Sequence, residues 1–325
     1  MTEHPHILHA WHIEPNGRSE VVKHDKISAL VKSNDLAWIH LDVLANESRS
    51  WIENEISYLD KIIIDALLAR DTRPRYMEIG DGALLILRGV NKNENADPED
   101  MISLRIWVDA HRIITLQRRP LRSIKDIAEK LSEGTGPKDP GEFLAMLCSR
   151  LFEYIDEALV QLSEEADDIE NAILDNADIS YREKIVDIRR TAIVFRKFMA
   201  PQRDVINQLI FSEQSWITEQ SKRRLRENYN QLTRYIEELD SIRERAQIVQ
   251  DELTALLSDR LNKNLYVLSI VSAIFLPLGF LTGLMGINIG GMPGVENPSA
   301  FWIFTGALVA LLIAQIAIFR WKRWF

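Results

Sequence analysis

Two long apolar runs without a charged side chain stand near the end of the chain. The first covers residues 265–285 and has 21 residues, and the second covers 301–319 and has 19. A helix needs about 20 apolar residues to cross a hydrocarbon core of about 30 Å, so each run is long enough for one passage. The pattern predicts a membrane hairpin, preceded by a larger part that faces water.

Basic residues flank this hairpin on one side. Arg260 and Lys263 precede the first run, and the loop between the runs has Glu296 as its one charged residue. Three more basic residues follow the second run: Arg320, Lys322 and Arg323. Lys and Arg favour the cytoplasmic side, so we expect both termini inside and the loop outside. Nothing near Met1 reads as a secretory signal, so we expect the larger part to be made in the cytoplasm before insertion.

The first 141 residues have the pattern of an α/β domain. Strand-like segments cover residues 38–43, 83–90 and 112–117, and a helical pattern covers 56–69. The segment 134–141 holds three glycines and two prolines, which predicts a linker or a long turn. A different kind of structure is expected after it.

A long helical region follows. Between Gly141 and the first apolar run there is no glycine, and Pro201 is the only proline. The sequence therefore predicts one helix from about residue 142 to 200, broken near Asn176 into a hairpin, and a second helix from 202 to 276. We accordingly assign residues 1–141 to an α/β domain, 142–264 to a helical hairpin with a long stalk helix, and 265–325 to the membrane hairpin.

The stalk helix carries an apolar heptad pattern that predicts a seam for neighbouring helices. Its two lines are Leu225, Leu232, Leu239, Ala246 and Leu253, and Tyr235, Ile242, Val249 and Leu256. An acidic line, Glu237, Glu244 and Asp251, falls on the opposite face. It is either a solvated helix face or a surface that gathers cations on their way to the membrane.

Composition and motifs exclude several functions. A formal net charge of -9 argues against nucleic acid as a partner. A single cysteine, Cys148, rules out a disulfide within the chain. The sequence has no phosphate-binding loop, no nucleophile elbow and no His-Glu-x-x-His zinc motif, so we expect no enzyme and no bound cofactor. One hairpin cannot enclose a water-filled path, so conduction of ions requires several copies of the chain.

The end of the first run resembles the CorA superfamily. The superfamily signature Gly-x-Asn stands here as Gly286, Ile287 and Asn288, closing the first of two terminal runs after a long helix without glycine. The following loop resembles the ZntB branch rather than the magnesium branch, because Gly294 stands where the latter has a glutamate. Segments 71–75, 87–91 and 112–121 also resemble ZntB, so the resemblance covers nearly the whole chain.

This resemblance implies a homopentamer in the bacterial inner membrane, with an α/β/α cytoplasmic domain, a funnel of stalk helices and uptake of Zn²⁺ coupled to protons. It also implies that the first span lines the pore. We expect Leu265 and Leu268, one helical turn apart at the cytoplasmic end of the span, to form an apolar gate, with Ser272 and Gly279 further along the pore. Gly286, Ile287 and Asn288 would form the pore mouth. An asparagine ring offers neutral oxygens to a hydrated ion, although an asparagine at this place could equally be a simple helix cap.

The residues themselves do not single out zinc or protons. Zinc normally takes histidine, cysteine or carboxylate ligands, yet all seven histidines lie at or before His111 and the spans have no histidine, cysteine or carboxylate side chain. Proton coupling and metal binding would therefore fall to the stalk, at Asp251, Glu244 or Glu237. Two alternatives stay open: a Mg²⁺, Co²⁺ or Ni²⁺ channel driven by membrane potential, and a membrane-anchored sensor.

Two further groups have the composition of metal sites. The N-terminal histidines are His4, His6, His9 and His12, and a helical acidic cluster comprises Glu164, Glu165, Asp167, Asp168 and Glu170. A mobile tail and a solvated helix face are the simpler interpretations of these two groups.

Overall fold

A computed structural model describes residues 6–70, 72–286, 294 and 296–322 of the chain. By its internal contacts the chain divides into two compact units, Met1–Asp251 and Glu252–Phe325. We call them the first and the second unit.

The first unit is built on a mixed sheet of seven strands. The strands are β1 (Ile7–Ile13), β2 (Ser19–Val21), β3 (Leu36–Asp42), β4 (Arg75–Ile79), β5 (Gly82–Gly89), β6 (Ile102–Val108) and β7 (Arg112–Gln117). Their order across the sheet is β2-β1-β3-β7-β6-β5-β4. β3 and β7 pair in parallel, and the other neighbouring strands pair antiparallel. The three strand-like segments of the sequence are thereby confirmed as β3, β5 and β7.

Helices cover both faces of this sheet. On one face lie α1 (His24–Lys32), α2 (Glu47–Glu55) and α3 (Lys61–Leu68), which share an apolar core with Ile39 and Leu41 of β3. On the other face lie α4 (Arg122–Ser132), α5 (Pro140–Asp175) and α6 (Tyr181–Phe211). There Trp38, the neighbour of Ile39, packs its ring 5.1 Å from that of Phe143. The alternation along β3 thus produces an α/β/α sandwich, as expected.

The helix expected at residues 56–69 is shorter than its pattern suggested. Ile56 closes α2, with its N–H donating to the carbonyl of Ile52, and α3 begins only at Lys61. Asp60 stops the helix from extending further back, because its carboxylate accepts a hydrogen bond from the N–H of Ile62 and caps α3.

The helical region contains the predicted hairpin, but the next break was placed wrongly. The chain turns between α5 and α6 at residues 176–180, which confirms the break near Asn176. Pro201, however, lies inside α6, and the long helix α7 spans Glu219–Met285 rather than 202–276. The single hydrogen bond lost at Pro201 is offset by the burial of neighbours such as Met199 and Val205.

The true break between α6 and α7 is fixed by long-range hydrogen bonds. Ser212 donates to the carboxylate of Glu78 at 2.6 Å, and Gln214 Nε2 donates to the carbonyl of Gly80 at 2.9 Å. Trp216 Nε1 donates to the carbonyl of Asp81 at 3.1 Å. The loop between the helices is therefore held against the β4–β5 hairpin, whose residues are more than 130 positions away in sequence.

The apolar seam of α7 is buried within the first unit, as predicted. Leu225, Leu232 and Leu239 are 0% exposed, whereas Leu256, beyond the first unit, is 37% exposed. Ala246 and Val249 line a small cavity with Ile169 of α5 and Ile188 of α6. The heptad line therefore packs α7 against its own hairpin.

The second unit contains the end of α7 and α8 (Ala300–Trp321). Among the described residues, these are the two helices that are long and apolar enough to cross a membrane, and most residues of their apolar stretches are exposed in the single chain. Both predicted spans are thus helical.

Candidate functional site

One face of the first span is covered by α8. Within the apolar run, the buried or half-buried residues of α7 recur at helical spacing: Ile270, Ala273, Ile274, Pro277, Leu278 and Leu281. Gln315 of α8 donates from Nε2 to the carbonyl oxygen of Ala273 at 3.2 Å. We call this stripe the α8 face.

The predicted pore residues share the opposite face. Leu265, Leu268, Ser272, Gly279 and Gly286 are all exposed in the single chain. They are separated by three, four, seven and seven residues, and at about 100° per residue they lie about half a turn from the α8 face. We call them the path face. The structure therefore brings together, on one uncovered surface, the residues that the sequence assigned to the gate and pore lining.

Two hydroxyl groups of the first span are satisfied by its own backbone. Ser269 donates to the carbonyl of Leu265 at 2.7 Å, and Thr282 donates to the carbonyl of Leu278 at 3.0 Å. Such bonds to the preceding turn leave the hydroxyl oxygens able to accept further hydrogen bonds. The first span can thus offer neutral oxygens to water but no charged ligand to an ion.

Pro277 explains the hydrogen bond between the two spans. Proline has no N–H, so the carbonyl four residues earlier, that of Ala273, has no helical donor. Gln315 supplies that donor from α8. The sequence analysis did not identify Gln315, although an amide inside an otherwise apolar run is a recognisable signal of interhelical bonding.

The pore mouth is only partly described. The N–H of Gly286 bonds to the carbonyls of Thr282 at 2.9 Å and Gly283 at 3.2 Å as the helix ends. A Cβ at this position would stand 3.2 Å from the carbonyl oxygen of Thr282, a tight contact that favours glycine. Ile287 and Asn288 lie outside the described residues, so their role stays a prediction.

The acidic line of α7 lies exposed in the first unit. Glu237, Glu244 and Asp251 are open to solvent and form no ion pair with any described residue. Asp251 accepts a hydrogen bond from Gln247 at 3.0 Å. The neighbouring Asp240 is different, because Arg196 binds it at 2.7 Å. Three carboxylates per chain thus remain available to cations; we call them the stalk carboxylates.

The other acidic and histidine groups do not assemble into a metal centre. Arg245 of α7 binds Asp167 and Glu170, which ties part of the acidic cluster to the helix seam. His4 lies outside the described residues. Within the part of the chain that is described, no three His, Cys, Asp or Glu side chains come together in a way that could hold a metal ion. Burial raises the pKa of the Cys148 thiol to about 12, so it is a packing residue.

Comparison with known proteins identifies the fold and the family. A family model described as "CorA-like Mg2+ transporter protein" matches residues 33–323. The divalent cation transporter CmaX of Pseudomonas aeruginosa is 35% identical over 318 residues, covering 97% of this chain and 94% of that protein. The zinc transport protein ZntB of Pectobacterium carotovorum is 33% identical over 310 residues, covering 95% and 93%.

A solved structure supports the same assignment along the whole chain. The structure of the full-length CmaX protein superposes with a TM-score of 0.85 at 33% identity, covering 98% of each chain. The α/β/α unit, the long helix and the two terminal apolar helices are thus one shared architecture. The chain belongs to the CorA-like family of divalent cation transporters, a membrane transporter family and not an enzyme family.

Proposed function

We propose that this chain forms a homopentamer in the bacterial inner membrane and takes up Zn²⁺ together with protons. Zinc is supported by the relative named ZntB, at 33% identity, and by Gly294 in the loop. The relative named CmaX, at 35% identity, carries the broader description of a divalent cation transporter. The pentamer and the inner membrane rest on the resemblance to the superfamily.

The path face is the observation that carries this proposal. An uncovered stripe that runs from Leu265 to Gly286, opposite the α8 face, is what a helix needs to line a pore in a ring of copies. Leu265 and Leu268 would close the ring with an apolar constriction, and Ser272, Gly279 and Gly286 would leave room for water. The predicted Asn288 ring would then receive the ion with its water shell.

The stalk carboxylates supply the proposed proton dependence. The first span has no carboxylate, histidine, cysteine, lysine or arginine side chain, so a carboxylate that exchanges protons must lie elsewhere along the path. Glu237, Glu244 and Asp251 recur every seven residues and have no ion-pair partner among the described residues. In a ring of copies, these like charges would repel one another and compete for protons and metal ions.

A second candidate is transport of a hydrated Mg²⁺, Co²⁺ or Ni²⁺ ion driven by membrane potential. It is favoured by the absence of histidine, cysteine and carboxylate from residues 265–285, because zinc prefers such ligands while Mg²⁺ keeps its water shell. On this alternative the stalk carboxylates gather cations without coupling them to protons.

Metal uptake into liposomes that contain the purified protein separates the two candidates. Uptake of Zn²⁺ and Mg²⁺ is followed with internal indicators, with and without an inward proton gradient, while potassium and valinomycin set the membrane potential to several chosen values. The proposal predicts Zn²⁺ uptake that rises severalfold with the proton gradient and carries protons inward. Uptake of Mg²⁺ that follows the potential and ignores the proton gradient would favour the second candidate.

A further inference from the structure

A second open cavity lies in the first unit, at the edge of the sheet where β4 turns into β5 and β6 turns into β7. It encloses about 520 Å³ and is lined by four separate connections: the α2–α3 loop, the two strand turns and the α6–α7 loop. A pocket of this size suits a small molecule, and loops on a rigid sheet are a usual place for a ligand site.

The floor of this cavity is apolar. Leu59, Ile63, Ile79 and Trp107 line it, and Trp107 and Ile63 are 2% and 4% exposed. Such a floor stabilises an aliphatic or aromatic body by removing it from water. It gives nothing to a fully hydrated ion.

The charged side chains of Asp109 and Arg112, in the wall of the cavity, already bind each other and neighbouring groups. The carboxylate of Asp109 accepts hydrogen bonds from Tyr58 at 2.5 Å and from Arg112 Nε at 3.3 Å. Arg112 also donates to the carbonyl of Val31 at 3.2 Å and lies 4.9 Å above the ring of Tyr58. Burial and the neighbouring carboxylate raise the pKa of Tyr58, which therefore stays protonated as a donor. This wall is neutral and rigid.

Two carboxylates at the rim remain without a counter-charge. Asp60 and Asp81 both line the cavity and are exposed, and neither forms an ion pair with a described residue. Asp60 accepts one long hydrogen bond, 3.4 Å from the N–H of Ile62. The opposite charges of Asp109 and Arg112 offset each other, so Asp60 and Asp81 make the rim negative. A negative rim favours a cation over an anion.

We propose that this cavity binds a small organic cation, a primary ammonium group carried on an apolar or aromatic body. The ammonium group donates to Asp81 and Asp60, and the body lies on the floor formed by Ile63, Ile79 and Trp107. A bare metal ion fits less well, since no metal-binding set of His, Cys, Asp and Glu occurs in the described part of the chain. This site is separate from the cation path and does not depend on the transported ion.

The cavity also contacts the loop that sets the start of α7. Ser215 of that loop lines the cavity, and the carbonyl of Asp81 accepts from Trp216 on the same loop at 3.1 Å. A ligand held by the Asp81 carboxylate therefore bridges the β4–β5 turn and the α6–α7 loop. Occupancy stiffens the junction from which α7 begins at Glu219, which gives the site the position of an effector site.

Calorimetric titration of the full-length protein in detergent with tryptamine tests this proposal, with indole-3-propionate as the anionic probe of similar size. Tryptamine is expected to bind saturably and the propionate not to bind. Asp81→Asn should weaken tryptamine at least about tenfold, because a charge-assisted hydrogen bond is lost. Ser215→Trp fills the mouth without changing charge and should abolish binding. Asp168→Asn, at another cavity, should bind tryptamine as the parent does.

Three results would overturn the proposal. Equal binding of the two indole probes would show that charge does not select the ligand. Tryptamine binding that is unchanged in both Asp81→Asn and Ser215→Trp would place its site elsewhere. Absence of tryptamine binding, together with saturable Mg²⁺ binding that Asp81→Asn removes, would assign the rim to a hydrated metal ion.

Discussion

Gln315 of α8 donates its side-chain amide to the carbonyl oxygen of Ala273 of α7, 3.2 Å away. That carbonyl is the one that Pro277 leaves without a helical donor. Pro277 in one span thus leaves a backbone oxygen without its helical donor, and Gln315 in the other span replaces that donor, so the oxygen stays hydrogen-bonded inside the membrane.

This arrangement predicts that the effects of Gln315 and Pro277 on protein stability are coupled. Gln315→Leu should lower the stability of the protein by about 1 kcal/mol, since the Ala273 carbonyl loses its donor. In a Pro277→Ala background the helix supplies its own donor, so the same substitution should cost clearly less. Unfolding of the parent, the two single variants and the double variant in detergent measures the coupling. An equal loss of stability from Gln315→Leu in both backgrounds would show that Gln315 does not act through the carbonyl freed by Pro277.

Buried His40 predicts a pH-dependent loss of stability. Its ring is fully buried, bonds to Thr115 at 2.8 Å and stacks on His9. Burial lowers the pKa of His40 from 6.5 to about 3. Between these two pH values the ring is therefore neutral in the folded state and protonated in the unfolded chain. The stability present above pH 6.5 is therefore lost progressively as the pH falls towards 3. Between pH 6 and 4 the loss from this group should be about 2 kcal/mol.

The matched variant for this effect is His40→Gln, which keeps an amide beside Thr115 but cannot titrate. Chemical unfolding of parent and variant at several pH values isolates the histidine, because the other acid-sensitive groups are common to both. The parent should lose stability more steeply below pH 6.5. Parallel curves would mean that His40 is not held neutral by the fold.

Local sequence was sufficient to predict those elements whose pattern of apolar and polar residues shows which face is buried. The alternation in residues 38–43 predicted β3, the heptads predicted the seam of α7, and the charge-free runs predicted both spans. It failed at the α6–α7 break, where Pro201 is carried inside a well-packed helix. The actual break depends on Ser212, Gln214 and Trp216 bonding to a hairpin more than 130 residues earlier, and no local pattern contains that information.

The candidate site likewise has features that follow from local sequence and features that depend on contacts between distant segments. The resemblance implied that Leu265, Leu268, Ser272 and Gly279 line the pore, and the structure places them on one face of the helix, a relation that follows from helical periodicity. That α8 covers the opposite face, with Gln315 bonded to Ala273, is a relation between two helices. The cavity beside Asp81 was missed for a similar reason, since four separate loops build it.

Asn288→Ala is predicted to reduce metal flux severely while assembly persists. The substitution removes the side-chain oxygen that would accept hydrogen bonds from the water shell of the ion, and alanine leaves helix packing unchanged. Flux into liposomes is compared at equal protein incorporation, with size-exclusion profiles as the control for assembly. Parental flux in a correctly inserted variant would remove Asn288 from the mechanism.

The stalk carboxylates are predicted to carry the proton dependence. Replacing Glu244 by Gln and Asp251 by Asn removes two charges per chain and should weaken metal binding and flatten the pH profile of flux. The control is Asp240→Asn, because Asp240 is already bound by Arg196 and should matter less. A double variant with the metal affinity and pH profile of the parent would make the line a solvated helix face.

We propose that the path face of α7, opposite α8, borders the route of the ion. Its most direct test is cysteine modification of adjacent residues in a Cys148→Ala background, with metal flux as the readout. Ser272→Cys lies on the path face, and Ala273→Cys lies on the α8 face. We expect a small charged thiol reagent to block flux rapidly through Ser272→Cys and to leave Ala273→Cys active. Block at Ala273→Cys with an unaffected Ser272→Cys would contradict it.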